Sequence, residues 1–352
     1  MQKYYHFEKV LGHGHFGTVR LATSRGRSPD SEVAIKSVSK VKIKNDLFFL
    51  KRELEILMLV DHPNIIRYYE SYEDDRYIHI VQELCTGGDL LDRFSYAGPF
   101  NEKSVAEMMR KIFSAVHHMH TLYICHRDIK VENFLFKSRD ADAEIKIIDF
   151  GLSSKFGKGG EELSTMVGAP NYLAPEMLNA KYGKECDVWS LGVMLFYLLC
   201  GKFPFEAESI GATFKKITAG EFDFSAQEWS SYTPEIRDLI VRMLMRDPRV
   251  RISLPAALKH KWFLELATRR SSVEVPRTVL TSLKKYKAPS KLQREAMKVM
   301  VKHLTARDIE DLDLAFKALD KDSTGVIAVE NLERVMKTAG LSIPPSGFRG
   351  DF

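Results

Sequence analysis

The stretch His126-Arg127-Asp128-Ile129-Lys130-Val131-Glu132-Asn133 constrains this chain more than any other. An Asp in such a loop can accept the proton of an incoming hydroxyl, and an Asn a few residues on can hold a metal ion. Alone, a His-Arg-Asp tripeptide is a weak signal. Here Asp149-Phe150-Gly151 and Ala174-Pro175-Glu176 follow it, while Gly12-x-Gly14-x-x-Gly17-x-Val19 and Val33-Ala34-Ile35-Lys36 precede it.

Five signatures in this order resemble the protein kinases. The glycine motif by itself also occurs in dinucleotide-binding turns, where a helix follows directly. Thr18-Val19-Arg20-Leu21-Ala22 continues instead as a strand, which favours a hairpin over nucleotide phosphates. Glycines there let the backbone come close to phosphate oxygens with no Cβ in the way. The resemblance implies an α+β, bilobal kinase fold, with a small lobe over about 1–84 and a large lobe over about 85–263.

Periodicity agrees. Residues 4–36 read as strand, glycine turn, strand, loop, strand, and 77–82 and 145–148 as further strands. Helical spacing runs from Phe48 to Val60 and from Val105 to His120, and 191–200 is apolar enough for a buried helix but too short to cross a bilayer. His117, His118 and His120 are read as helix surface and core, not as a metal site.

Composition sets limits. With 352 residues, 45% hydrophobic and 28% charged, the chain is an ordinary globular sequence, and a net charge of +5 is too mild to imply nucleic acid. Cys85, Cys125, Cys186 and Cys200 form no CxxC pair and suit reduced thiols in a cytoplasmic protein. No signal peptide is expected, and Gln2 stands where myristoylation needs Gly, so no membrane anchor is expected.

The resemblance assigns roles. It implies that Lys36 holds the α- and β-phosphates of ATP, fixed by Glu53, with Glu55 as the other candidate partner. Leu11, Gly12, Gly14, Gly17, Val19 and Ala34 would enclose the nucleotide, and the backbone of Glu83 and Cys85 would meet the adenine edge. Asn133 and Asp149 would hold Mg2+, Asp128 would orient the substrate hydroxyl, and Lys130 would neutralise the γ-phosphate. Asp187 would brace the catalytic loop and Arg251 would pair with Glu176.

Asp89 and Glu132 stand where related kinases bind a basic residue upstream of the phosphosite; ordinary surface acids are the plainer reading. Arg127 marks kinases whose activation segment is ordered by negative charge, with Ser164 and Thr165 as candidate phosphosites and Glu161 or Glu162 as unmodified alternatives. Two positions depart from the pattern. Ala169 replaces the usual Thr of Gly-Thr-Pro, and Gln82 places a polar side chain at the position guarding the pocket behind the adenine.

The remainder of the chain resembles the junction of the calcium-dependent protein kinases, over about 264–304, followed by a single EF-hand in 305–352. Asp320, Asp322, Thr324 and Val326 occupy ligand positions of that loop, with Gly325 at its turn. Its far end is defective: Ala328 has no oxygen to hold a water, and Asn331 stands where a bidentate Glu belongs. Weak Ca2+ binding is therefore expected, and the unpaired hand needs a partner surface. Altogether the sequence points to a serine/threonine protein kinase using ATP and Mg2+ on protein substrates. A catalytically silent ATP-binding scaffold is the rival reading.

Overall fold

The structure is a computed structural model, and it describes residues 3–13, 17–25, 32–43, 47–97, 101–140, 142–157, 163–225 and 227–267. The junction, the EF-hand, Gly14, Glu161 and Glu162 lie outside these residues. The chain divides into two units, 1–266 and 267–352, and the description that follows is of the first.

Strands β1 (Tyr5–His13), β2 (Gly17–Ser24), β3 (Glu32–Ser39), β4 (Tyr68–Glu73) and β5 (Tyr77–Glu83) form an antiparallel sheet in the order β1-β2-β3-β5-β4. Side chains alternate across a strand, and β3 shows the consequence. Val33 and Ile35 join Tyr5, Ala22 and Val81 in a small outer cluster, while Val38 belongs to the main core on the opposite face. Ala34 and Lys36 share the face of Val38. That face meets helix α1 (Leu47–Leu59), which buries Leu50, Glu53, Ile56 and Leu57.

The segment after α1 ties the sheet to the helical lobe. Asn64 Nδ2 donates to the Ile145 carbonyl at 2.9 Å, and Ile147 N–H donates back to Asn64 at 2.8 Å. His62 is buried beside Ser114, 3.0 Å from its hydroxyl, and accepts the Asn64 N–H on Nδ1.

The larger lobe is built from α2 (Leu90–Ala97), α3 (Glu102–Thr121), α4 (Glu185–Cys200), α5 (Ile210–Ala219), α6 (Pro234–Met243), α7 (Leu254–Leu258) and α8 (Lys261–Ala267). Asn101 caps α3 by accepting the Ser104 N–H, satisfying one of the donors a helix start leaves open. Helix α4 is buried on nearly every side, as an all-round apolar helix must be, and Gly201 at φ 72° ends it. Among the described residues no helix is long and apolar enough to cross a membrane. Two short antiparallel pairs complete the lobe: β7 (Phe134–Phe136) forms a hairpin with β8 (Ile145–Ile147), and the strands on either side of it, β6 (Ile124–Cys125) and β9 (Ser154–Lys155), pair with each other.

His62 makes the lobe junction sensitive to acid. Burial first, then the charges of His118 and Lys146, pull its pKa down to about 3. An unfolded imidazole titrates near 6.5, so between about 3 and 6.5 the unfolded chain binds more protons, and stability is complete above this window and falls as pH drops through it. At pH 5 the cost from this one group is about 2 kcal/mol. Denaturant unfolding at pH 7 and pH 5 should show the His62→Gln variant losing about 2 kcal/mol less than the unaltered chain over that interval.

Candidate active site

Lys36 reaches from β3 into the cleft and donates to Glu53 Oε1 at 2.6 Å. Glu55 pairs instead with Lys155, at 3.9 Å on the surface. Burial is the largest influence on Lys36 and works against its charge, but Glu53 and Asp149 together outweigh it and raise its pKa. Asp149 responds in kind: burial opposes its charge, yet Lys36, the Gly151 N–H, His126 and Lys130 hold its pKa below the ordinary value. The two groups therefore stabilise each other as a cation and an anion facing one cleft.

The β7–β8 hairpin explains why Asn133 and Asp149 adjoin. Phe134 pairs with Ile147, and Ile148 N–H donates to the Asn133 carbonyl at 2.9 Å, so the residue before β7 and the residues after β8 lie side by side. Asp149 sits at φ 59° and Arg127 at φ 68°, left-handed conformations that non-glycine residues adopt at a cost of about 1–3 kcal/mol each. The turn at Asp149 leaves its carboxylate exposed while the Phe150 ring is buried 5.4 Å from that of His126.

Asp128 is held from two sides. Lys130 Nζ donates to its Oδ2 at 2.8 Å and Asn133 Nδ2 to the same oxygen at 2.9 Å. Asn133 Nδ2 also reaches the Asp128 carbonyl, at 2.7 Å, so the amide nitrogen is committed and its oxygen is left for a cation. Beneath the loop, Asp187 accepts the N–H groups of His126 and Arg127, both at 2.9 Å, and Arg251 grips Glu176 through two bonds of 2.6 and 2.9 Å.

Around these groups, Gly12 pairs with Val19 where β1 meets β2, and a Cβ at Gly12 would meet open space. Gly17 has a different constraint: a Cβ there would collide with the Ser37 carbonyl, so close packing of β2 on β3 demands this glycine whatever the ligand. At the hinge, the Glu83 side chain is engaged by Lys146 and Lys137 at 3.1 and 3.3 Å. The backbone N–H of Cys85 makes no hydrogen bond among the described residues, and burial, then Glu83, pushes the Cys85 thiol up to about 12. Leu11 is exposed and Ala34 half-buried.

The two candidate substrate acids share no hydrogen bond among the described residues. Asp89 accepts the Asp92 N–H at 2.6 Å and caps α2, whereas Glu132 is exposed and its charge acts, after burial, on the phenols of Tyr172 and Tyr197. Ser164 and Thr165 are exposed; the Thr165 carbonyl accepts from Tyr182 Oη at 2.5 Å, and that hydroxyl accepts from Arg127 Nη1 at 3.1 Å.

Several groups were not singled out by sequence reasoning. Arg52 carries buried Nε and Nη2 atoms with no partner among the described residues, and burial, then the charge of Arg127, lowers its pKa. Lys146 was visible only as a lone charge inside an apolar strand. Cys125 and Cys186 have free thiols 3.4 Å apart, a proximity their sequence separation conceals. His120, read from the sequence only as helix surface and core, bonds Asp187 at 2.8 Å. A cavity of about 730 Å3 lined by Phe7, Arg20, Ser37 and His79 opens on the sheet face away from Lys36 and takes no part in this site.

Comparison with known proteins places these observations. The protein kinase domain family matches residues 5–263. The chain is 41% identical over 332 residues to calcium-dependent protein kinase 12 of Oryza sativa subsp. japonica, covering 94% of this chain and 61% of the relative. It is 38% identical over 339 residues to calcium-dependent protein kinase 17 of Arabidopsis thaliana, covering 96% and 63%, and 39% identical over 345 residues to calcium-dependent protein kinase 12 of the same plant, covering 97% and 70%. The chain thus spans somewhat under two thirds of the length of several curated relatives. With the kinase domain matched throughout and such identity extending over nearly the whole sequence, the chain belongs to the calcium-dependent protein kinase family.

Proposed function

We propose that the chain is a serine/threonine protein kinase that moves the γ-phosphate of ATP to a Ser or Thr hydroxyl of cytoplasmic proteins. The observation that carries this reading is the assembled pair of sites: Lys36 bound to Glu53 opposite Asp149, and Asp128 held by Lys130 and Asn133. Phosphoryl transfer depends mainly on position and charge, and these are the positions and charges it needs. Lys36 orients the nucleotide phosphates. Asp128 accepts the hydroxyl proton, and Lys130, anchored to it, stays within reach of the migrating charge.

Asn133 and Asp149 offer adjoining oxygens, one neutral and one held ionised, which suits a hard cation such as Mg2+. Bound there, the ion would neutralise phosphate charge. Ala169 lacks the hydroxyl that commonly links the catalytic Asp and Lys. The direct 2.8 Å bond between Lys130 and Asp128 supports an active enzyme over a silent scaffold.

Glu132, exposed beside the catalytic loop, with Asp89, would favour a basic residue upstream of the phosphosite. A negative charge on Ser164 or Thr165 would have Arg127 and the unpartnered atoms of Arg52 as its ligands, and would order the segment through charge-assisted bonds.

Asp128→Asn should cut phosphorylation of a basic peptide by roughly 10²–10⁴-fold while leaving ATP affinity nearly unchanged. Turnover equal to the unaltered chain would remove Asp128 from its role.

The calcium loop offers only Asp320 and Asp322 as charged side-chain ligands, and Asn331 cannot chelate as a carboxylate does. A ligand shifts an equilibrium only through its differential affinity for two states. Micromolar calcium should therefore change peptide phosphorylation by this chain less than about threefold, or ~0.7 kcal/mol. Tenfold activation over chelator, abolished by Asp320→Ala, would show that the hand is a working sensor.

A further inference from the structure

Gln82 stands on β5 at the position that the kinase resemblance puts behind the adenine. On β5 it pairs with Ala34 of β3, while Ile80, two residues earlier, pairs with Lys36. Alternation places Gln82, Ile80, Ala34 and Lys36 on one face of the sheet, so Gln82 lies about 7 Å along the strand from the level of Lys36. It is half-buried, and its carboxamide makes no hydrogen bond among the described residues. Opposite it stands Ala34, whose side chain is a single methyl group. A half-buried amide on this face, with no protein partner among the described residues, keeps its donors and its acceptor available to a ligand.

We infer that Gln82 reads the exocyclic group of the purine, and that through it the chain takes GTP as a second phosphoryl donor besides ATP. The inference rests on the kinase reading for the transfer itself. A carboxamide has an acceptor at one end and two donors at the other, and rotation about its last bond exchanges them. Its oxygen accepts from the 6-amino group of adenine. Turned over, its nitrogen donates to the 6-oxo group of guanine. An aliphatic side chain at this position does neither.

The two bases do not depend on Gln82 equally. Adenine's amine has a second hydrogen, which the backbone carbonyl that the kinase resemblance puts at the adenine edge would satisfy. Guanine's oxygen can use no carbonyl and, without Gln82, is left as an unpaired acceptor facing one, which costs more than a half-satisfied amine. Loss of the amide should therefore weaken GTP more than ATP.

The test compares the full chain with Gln82→Leu and with Gln82→Glu, each with magnesium. Nucleotide affinity is measured by displacement of a fluorescent ATP analogue, and peptide phosphorylation is followed with γ-labelled ATP and GTP. The unaltered chain should bind GTP within about thirtyfold of ATP, and Gln82→Leu should worsen the GTP-to-ATP affinity ratio by about tenfold, equivalent to about 1.4 kcal/mol. Gln82→Glu, an acceptor only when ionised, should keep ATP and lose GTP. The kinetic signature is a rise in the GTP KM with little change in kcat. Absence of GTP displacement at millimolar concentration, or an unchanged ratio in Gln82→Leu, overturns the inference. The displacement arm reads base preference in a chain that transfers nothing, so failure of the phosphotransferase reading would be seen separately.

Discussion

The catalytic loop hangs on one buried carboxylate. Asp187 is 0% exposed, and removing a charged group from water costs several kcal/mol unless it is fully bonded. Three donors meet it: the N–H groups of His126 and Arg127 and the His120 ring. Burial is the strongest influence on Asp187 and opposes its ionisation, but His120 and the other partners prevail and hold its pKa below the ordinary value. A permanent anion inside the lobe thereby fixes two successive peptide groups. The second belongs to Arg127, whose left-handed backbone would relax if its N–H were released. Asp128 follows directly, so its direction is inherited from Asp187.

The same economy links the lobes. The small-lobe sheet supplies Lys36, α1 supplies Glu53, and the segment through His62 and Asn64 bonds to β8, whose end carries Asp149. A shift of α1 would break the Lys36–Glu53 pair and, through that segment, disturb the strand that presents Asp149. Glu83 extends the arrangement, since its carboxylate binds the buried Lys146 of β8 from the hinge. The residues proposed to meet nucleotide, cation and hydroxyl are in this way different edges of one bonded network.

Much of this architecture is legible in the amino-acid sequence. The motif residues name their chemistry, and the helices read over 48–60 and 105–120 appear at Leu47–Leu59 and Glu102–Thr121, the second beginning a turn earlier because Asn101 caps it there. Proximity across long separations is what a sequence conceals. Nothing in the local pattern joins Cys125 to Cys186 or His120 to Asp187, because each contact exists only once α4 has packed against β6 and α3. Gly17 shows the opposite limit: its motif suggests a ligand, while the structure adds a steric need at Ser37 that periodicity alone does not reveal. Asp89 likewise reads as a substrate acid, while the structure shows it accepting the Asp92 N–H at the start of α2.

Asp187 positions the proposed catalytic centre without touching it. Replacing it with Asn keeps its shape but presents an amide where a backbone N–H needs an acceptor. The decisive measurement is kcat for peptide phosphorylation by Asp187→Asn, taken beside ATP affinity and the far-ultraviolet circular dichroism spectrum. Misplacement of reacting groups by about 1 Å commonly costs on the order of 10²-fold. The account predicts a fall in kcat of at least about that size with the fold and ATP affinity retained. An unchanged kcat in a folded, ATP-binding variant would contradict it.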